Sequence, residues 1–241
     1  MTRVPAVRGG LTPAVRRTAR RLVDSAGWLR LKARPEGELR EQARASWANS
    51  RPDPALTWGL ELTGDAFIDK AVEHGLHGTV LEVGPGYGRL LEAATRREAP
   101  FERWFGIDLS PQNVEHLRAR FPDHEFVVGD AETIAVEEPV DTIVSSLTFK
   151  HVFPTFEMLL QNLTRALAEN GVVVVDLIEG KHLRHFEAEA NFIRSYSRGQ
   201  VREIFGRCGL SATFDRVEHA PGWERLLVVG KRHAPRRRGH T

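Results

Sequence analysis

The run Thr79-Val80-Leu81-Glu82-Val83-Gly84-Pro85-Gly86-Tyr87-Gly88 decides how this chain folds. Thr79–Val83 reads as a buried strand, with Val80, Leu81 and Val83 apolar and one acid inside it. Three glycines at every second position then let the backbone turn tightly and come close to a bound molecule. A helix opening near Gly88 aims its free N–H groups and positive dipole end at that turn. A dinucleotide fingerprint needs its third glycine one place later, where this chain has Arg89. Arg89 could attract a phosphate, but the spacing argues against NAD.

Strands and helices alternate beyond that turn. Trp104–Asp108, Glu125–Gly129, Val140–Ser146 and Val172–Ile178 are expected strands, the last with four consecutive valines. Between them lie helices over Gly88–Arg97, from Ser110-Pro111 to about Phe121, and from Phe156 to about Ala168, stopping at Asn170-Gly171. Ser197-x-x-Gln200 is a capping-box pattern for a helix ending near Gly209. Strands over 211–218 and 224–230 flank the turn Ala220-Pro221-Gly222. Upstream, Asp65 is expected to cap a short helix with Phe67, Ile68, Ala71 and Val72. Arg51-Pro52-Asp53-Pro54 reads as a linker, 36–48 as a helix, and 12–33 as a basic amphipathic helix. The expected divisions are an N-terminal helical extension or cap at 1–63, a central α/β domain at 64–230 and a basic tail at 231–241.

This pattern predicts a mostly parallel sheet covered on both faces. Ligands in such sheets sit outside the carboxyl ends of the strands, where strand order reverses. Asp108 ends the second strand, 20 residues beyond Gly88. A carboxylate there can accept two hydrogen bonds from a ribose diol. Asp130 follows the third strand and could accept from an adenine amino group.

In strand order and motif order, residues 64–230 resemble a class I S-adenosylmethionine (SAM)-dependent methyltransferase. The acidic-x-Gly-x-Gly-x-Gly segment at Glu82–Gly88 is the most specific element. The resemblance implies a Rossmann-like α/β fold, with a seven-stranded sheet whose last strand is antiparallel. It implies SAM as methyl donor and S-adenosylhomocysteine as product. It places Gly84, Gly86 and Gly88 along the methionine part, with Glu82 bracing the loop or the amino group. Asp108 would take the ribose hydroxyls, Leu109 would pack on adenine, Asp130 and Ala131 would meet the adenine amino edge, and Ser146 would border the cofactor.

A sulfonium methyl is already activated, so positioning of the acceptor can supply most of the rate. Ser145-Ser146-Leu147-Thr148-Phe149-Lys150-His151 follows the fourth strand, where the resemblance often puts a histidine. His151 is the first choice for a general base or substrate-orienting group. Lys150 could orient an anionic substrate. His182, His185 and Tyr196 fall between the fifth strand and the next helix, where acceptor pockets tend to be inserted, and suggest a polar acceptor. Trp58, Thr63 and Phe67 precede the core and could cover the cofactor.

Composition narrows the classes further. Cys208 is the only cysteine, which excludes an internal disulfide and a cysteine-based metal cluster. It lies far from the place a pyrimidine-C5 nucleophile would occupy. The stretch after the fourth strand lacks the Asp/Asn-Pro-Pro-aromatic pattern of base-amino methyltransferases. No compact carboxylate group suggests a Mg²⁺-dependent catechol enzyme, and no metal is expected. Net charge is only +2, yet residues 1–34 and 231–241 are strongly basic and the body between them is acidic. Such ends could touch RNA or a membrane surface, or be solvated. No run approaches the roughly 20 apolar residues of a membrane span. The start lacks the apolar core of a secretory signal, and arginine far outnumbers lysine. The cytoplasm is the expected compartment. The expected function is methyl transfer to an O or N atom of a small molecule. The alternatives are an RNA methyltransferase using its basic ends and a SAM-binding protein without catalysis.

Overall fold

The computed structural model describes residues 34–52, 62–181, 184–187 and 191–232. Strand β1 (Gly78–Val83) lies between β2 (Phe101–Asp108) and β4 (Val140–Ser145), parallel to both. β3 (Glu125–Val128) extends the sheet beyond β2, and β5 (Leu167–Glu179) extends it beyond β4, again in parallel. β9 (Trp223–Arg232) runs antiparallel against β5, and β8 (Leu210–Ala220) pairs with β9. Strand order therefore reverses at β1, where the chain leaves toward β2 on one side and β4 enters on the other. The connections leaving β1 and β4 diverge there and open a crevice.

Alternation along the central strands fills both faces. Leu81 and Val83 enter one apolar cluster and Val80 the other. The valine run of β5 divides likewise, with Val173 and Val175 on one side and Val172 and Val174 on the other. Burying each such side chain stabilises the fold by roughly 1.5–3 kcal/mol. The α-helices among the described residues are α1 (Glu36–Ala48), α2 (Asp65–Glu73), α3 (Arg89–Arg96), α4 (Pro111–Arg120), α5 (Glu157–Leu163) and α6 (Arg198–Arg207). Ser110 caps α4 by accepting from the Asn113 N–H, and Ser197 with Gln200 forms the expected capping box of α6.

Several local expectations are corrected. Asp65 is the first residue of α2 and not its cap; Gly64, with φ of 81°, takes that place. A side chain there would meet the Arg89 carbonyl at 2.9 Å, so glycine is required by backbone and packing together. Helix α5 ends at Leu163, well before Asn170-Gly171. Successive i→i+3 bonds from Arg165, Ala166 and Leu167 tighten the chain, and Ala166 then accepts from the Val140 N–H. Pairing of Leu167 with Val140 draws the next residues into β5. Between β5 and α6 an inserted hairpin, β6 (Arg184–Glu187) and β7 (Asn191–Tyr196), pairs with the end of β5. β9 runs on to Arg232, whose guanidinium binds the carbonyls of Thr164, Leu167 and Ala168. The expected helix over 12–33, Asp53 and Pro54 of the linker and most of the basic tail lie outside the described residues.

Candidate active site

The crevice at the reversal of strand order is a cleft of about 1150 Å³, counting its open mouth. That is room for a nucleoside and a second small molecule. Its floor is the turn after β1. Gly84 and Gly86 both have positive φ, 68° and 59°. At Gly84 a side chain would strike Thr148 at 2.6 Å, whereas at Gly86 it would meet nothing within 4 Å. Gly84 therefore lets two loops close on each other, and Gly86 leaves open space in the cleft. Gly88 serves another purpose. It does not line the cleft, and a side chain there would strike the Phe121 ring at 2.5 Å.

Asp108 stands across from this turn, almost fully buried. Its Oδ2 accepts from the Gly86 N–H at 3.0 Å, and its Oδ1 from the Ser110 N–H at 2.9 Å and the Asn113 amide at 3.2 Å. Burial raises its pKa against the opposing pull of those bonds. Leu109, Gly129, Asp130, Ala131 and Ser146 line the same cleft. Asp130 Oδ1 accepts from the Glu132 N–H, and its Oδ2 pairs with Arg44 at 2.8 Å. Glu132, nearly buried, binds Arg40 through both oxygens and Arg44 as well. Helix α1 is thereby fastened over this end of the cleft. On the opposite rim Ser46 bonds Asn191 of β7, and the Trp47 ring lies 4.4 Å from that of His151.

Glu82 does not reach the cleft. It is buried in the sheet with its Oε2 on the Trp104 indole N–H at 3.0 Å, and burial raises its carboxyl to about 7. Arg89 does line it, as do Arg40, Arg44 and Arg51. One Arg89 nitrogen, Nη2, donates to Ser146 Oγ at 2.6 Å, while Nη1 is buried with no hydrogen-bond partner among the described residues. Burial lowers the Arg89 pKa. Ser146 passes the contact on to Asp176, which also accepts from the Leu147 N–H and from His219. Burial alone would raise the Asp176 carboxyl, but those bonds and the His219 ring outweigh it and hold it low. Leu147 is thus pinned in the left-handed region at φ 64°, a strained backbone at the cleft wall.

A 3₁₀ turn at Phe149–His151 sets the histidine. His151 Nδ1 lies 2.7 Å from the Phe192 carbonyl, which can only accept, so Nδ1 carries the proton and Nε2 is a bare acceptor. Nε2 is buried without a partner among the described residues, and His151 lines the cleft. Burial, reinforced by the charge of Lys150, lowers its pKa to about 3. Lys150 itself is buried and does not line the cleft. Tyr196 is fully buried against Phe156, away from the lining. Phe67 is core, and Thr63 is exposed. His182 and Trp58 lie outside the described residues; of His185 only the backbone is described, paired with Ile193. The sequence reading missed Trp47, Arg40 and Arg44.

A parallel sheet in this order, with a glycine turn after β1 and acids after β2 and β3, defines the Rossmann-like class I methyltransferase fold. Residues 80–171 match the family model described as a methyltransferase domain. It is 29% identical over 127 residues to a phthiotriol/phenolphthiotriol dimycocerosates methyltransferase of Mycobacterium tuberculosis, covering 51% of this chain and 47% of that one. The Mycobacterium leprae counterpart is 31% identical over 94 residues, 38% of this chain and 34% of that one. The chain spans about half the length, or less, of these curated relatives. Among solved structures, the Burkholderia thailandensis 1,6-didemethyltoxoflavin-N1-methyltransferase, with 1,6-didemethyltoxoflavin and S-adenosylhomocysteine bound, superposes with a TM-score of 0.67. It is 17% identical and is matched over 83% of this chain and 92% of its own. The SAM-bound amino pentose methyltransferase of Micromonospora echinaspora gives 0.57 at 17% identity, over 72% and 92%.

Proposed function

We propose that this chain is a SAM-dependent methyltransferase acting on a small molecule, with residues 64–232 as its catalytic unit and α1 as a cap over the site. The observation that carries it is the convergence of Gly86, Asp108 and the unpartnered Arg89 Nη1 on one cleft. They fit an adenosyl amino acid. Asp108 Oδ2 has one protein donor and spare acceptor capacity for ribose hydroxyls. Arg89 Nη1 would meet the amino-acid carboxylate, an ion its guanidinium suits. Gly86 leaves the space between them. Leu109 and Ala131 would pack on the base, Asp130 at its amino edge.

When bound, SAM supplies a methyl group activated by its sulfonium. The chain's own work is then alignment and exclusion of water. Trp47, Val152 and Phe153 wall the acceptor side with apolar surface. His151 Nε2 holds the acceptor's proton-bearing group and thereby points its lone pair. A pKa near 3 makes His151 an orienting acceptor more than a reservoir of protons. We place the protein in the cytoplasm; no helix among the described residues is long and apolar enough to cross a membrane.

Calorimetric titration with SAM and S-adenosylhomocysteine tests the reading. Both should bind, and Asp108→Ala should weaken both by about tenfold or more, the loss of a charged hydrogen-bond acceptor. Absence of binding to the intact chain would end the methyl-donor account.

A further inference from the structure

We propose that Trp47 Nε1 and His151 Nε2 form a donor–acceptor pair that selects a neutral hydroxyl as the methyl acceptor, making this an O-methyltransferase site. The inference rests on the SAM reading above and goes on to name the accepting atom.

Two buried polar atoms carry it. Trp47 Nε1 and His151 Nε2 both belong to side chains lining the cleft, and neither has a hydrogen-bond partner among the described residues. Their rings are 4.4 Å apart, centre to centre. An indole N–H can only donate. His151 Nε2 can only accept, because its Nδ1 proton is committed to the Phe192 carbonyl. A buried donor and a buried acceptor left unsatisfied each cost about 1–3 kcal/mol, so the site is built for a group that answers both.

Counting lone pairs separates the chemical classes. A hydroxyl gives its proton to His151 Nε2 and accepts from Trp47 Nε1 with one lone pair. A second lone pair remains to attack the methyl carbon. A neutral amine nitrogen has one lone pair, and the Trp47 N–H would occupy the pair that must attack. An ammonium has none. A carboxylate has no proton for Nε2 and would face its lone pair directly. In the hydroxyl case the oxygen forms a bond to the methyl carbon as the carbon–sulfur bond breaks onto sulfur. As the carbon–oxygen bond forms, the hydroxyl proton becomes far more acidic than even this weakly basic imidazolium, so it passes to Nε2 and is handed on at once to solvent. Trp47 comes from α1, outside the matched domain at 80–171. The choice of atom is thus made by the segment that caps the site.

The test uses matched probes, 4-butylphenol with 4-butylaniline and 2-octanol with 2-aminooctane, and labelled SAM. Label should enter the hydroxyl members, with each amine at least tenfold slower. In a second readout, calorimetry on the S-adenosylhomocysteine-loaded protein, the hydroxyl members should bind more tightly than their amines. Trp47→Phe keeps the ring and deletes the donor. It should raise KM for the hydroxyl probe about threefold to tenfold and leave SAM affinity unchanged. Equal or faster labelling of amines, an unmoved KM in Trp47→Phe, or no labelled hydroxyl product from protein that binds SAM would overturn the proposal. Failure to bind SAM at all would instead strike the reading beneath it.

Discussion

Single residues in the cleft and in the sheet beneath it are tuned by burial, and two of them give sharp tests. Glu82 sits inside the sheet with the Trp104 N–H as its partner, and desolvation lifts its carboxyl to about 7. The folded state therefore holds a proton that the unfolded chain releases near 4.5. Stability from this group is complete below that value and is lost as pH rises through 7. Its loss is on the order of 3 kcal/mol by pH 8. Glu82→Gln keeps an oxygen for Trp104 and cannot ionise. Urea titrations at pH 5 and pH 8 should show the variant's stability relative to the native chain rising across that interval. A constant difference would mean that Glu82 is not the buried acid described. Arg89 gives the second test. If its free Nη1 meets a carboxylate, Arg89→Lys should weaken SAM by about tenfold, since the fork geometry is lost. 5′-Methylthioadenosine has the same nucleoside but no amino-acid end, and its affinity should stay within about twofold. Equal losses for both ligands would assign Arg89 to holding the Ser146–Asp176 wall alone.

At the scale of elements, what could be read from the chain depended on whether the signal was local. The turn at Gly84–Gly88 and the caps at Ser110 and Ser197 are local chemistry, and the structure carries them as read. The end of α5 is not local. Leu167 and Ala168 are good helix formers, but backbone pairing with Val140 draws them into β5. The β6–β7 hairpin has no Gly or Pro at its turn to announce it, and so Tyr196 was read as a pocket residue. β7 is buried along nearly its whole length, and Tyr196 packs in the core against Phe156. Helix α1 was legible as a helix, but the side it presents to the cleft is fixed by partners 88 and 92 residues away. Those partners make a prediction. Glu132 binds both Arg40 and Arg44 while nearly buried, so Glu132→Gln leaves two guanidiniums short of a counter-charge. Both arginines are partly exposed and keep a second acid, Glu36 for Arg40 and Asp130 for Arg44, so the loss is on the order of 1 kcal/mol. Amide exchange should accelerate across 36–48 and stay unchanged in β1 and β4. Uniform protection in the variant would show that α1 is held by something other than this clamp.

Across the whole molecule, charge is segregated. The described body is acidic on balance, and much of the compensating arginine lies in 1–33 and 233–241. Inside the body the cleft is organised by short-range contacts: Arg89 with Ser146, Asp176 with His219, Arg44 with Asp130 and Glu132. Contacts of this kind are screened weakly, whereas an attraction between distant basic ends and an anionic polymer is screened strongly. The two modes of recognition therefore separate by salt. A small-molecule enzyme working through the cleft should lose little when 1–33 and 233–241 are removed. Its SAM affinity and its turnover of a hydroxyl acceptor should stay within about threefold between 50 and 300 mM salt. An enzyme that grips RNA phosphates with its ends would lose orders of magnitude over that range, and truncation would abolish the dependence. Arg232 must be kept in the shortened chain, because it closes the carbonyls between α5 and β5. A steep salt slope for turnover that vanishes on trimming would move the acceptor from small molecules to nucleic acid.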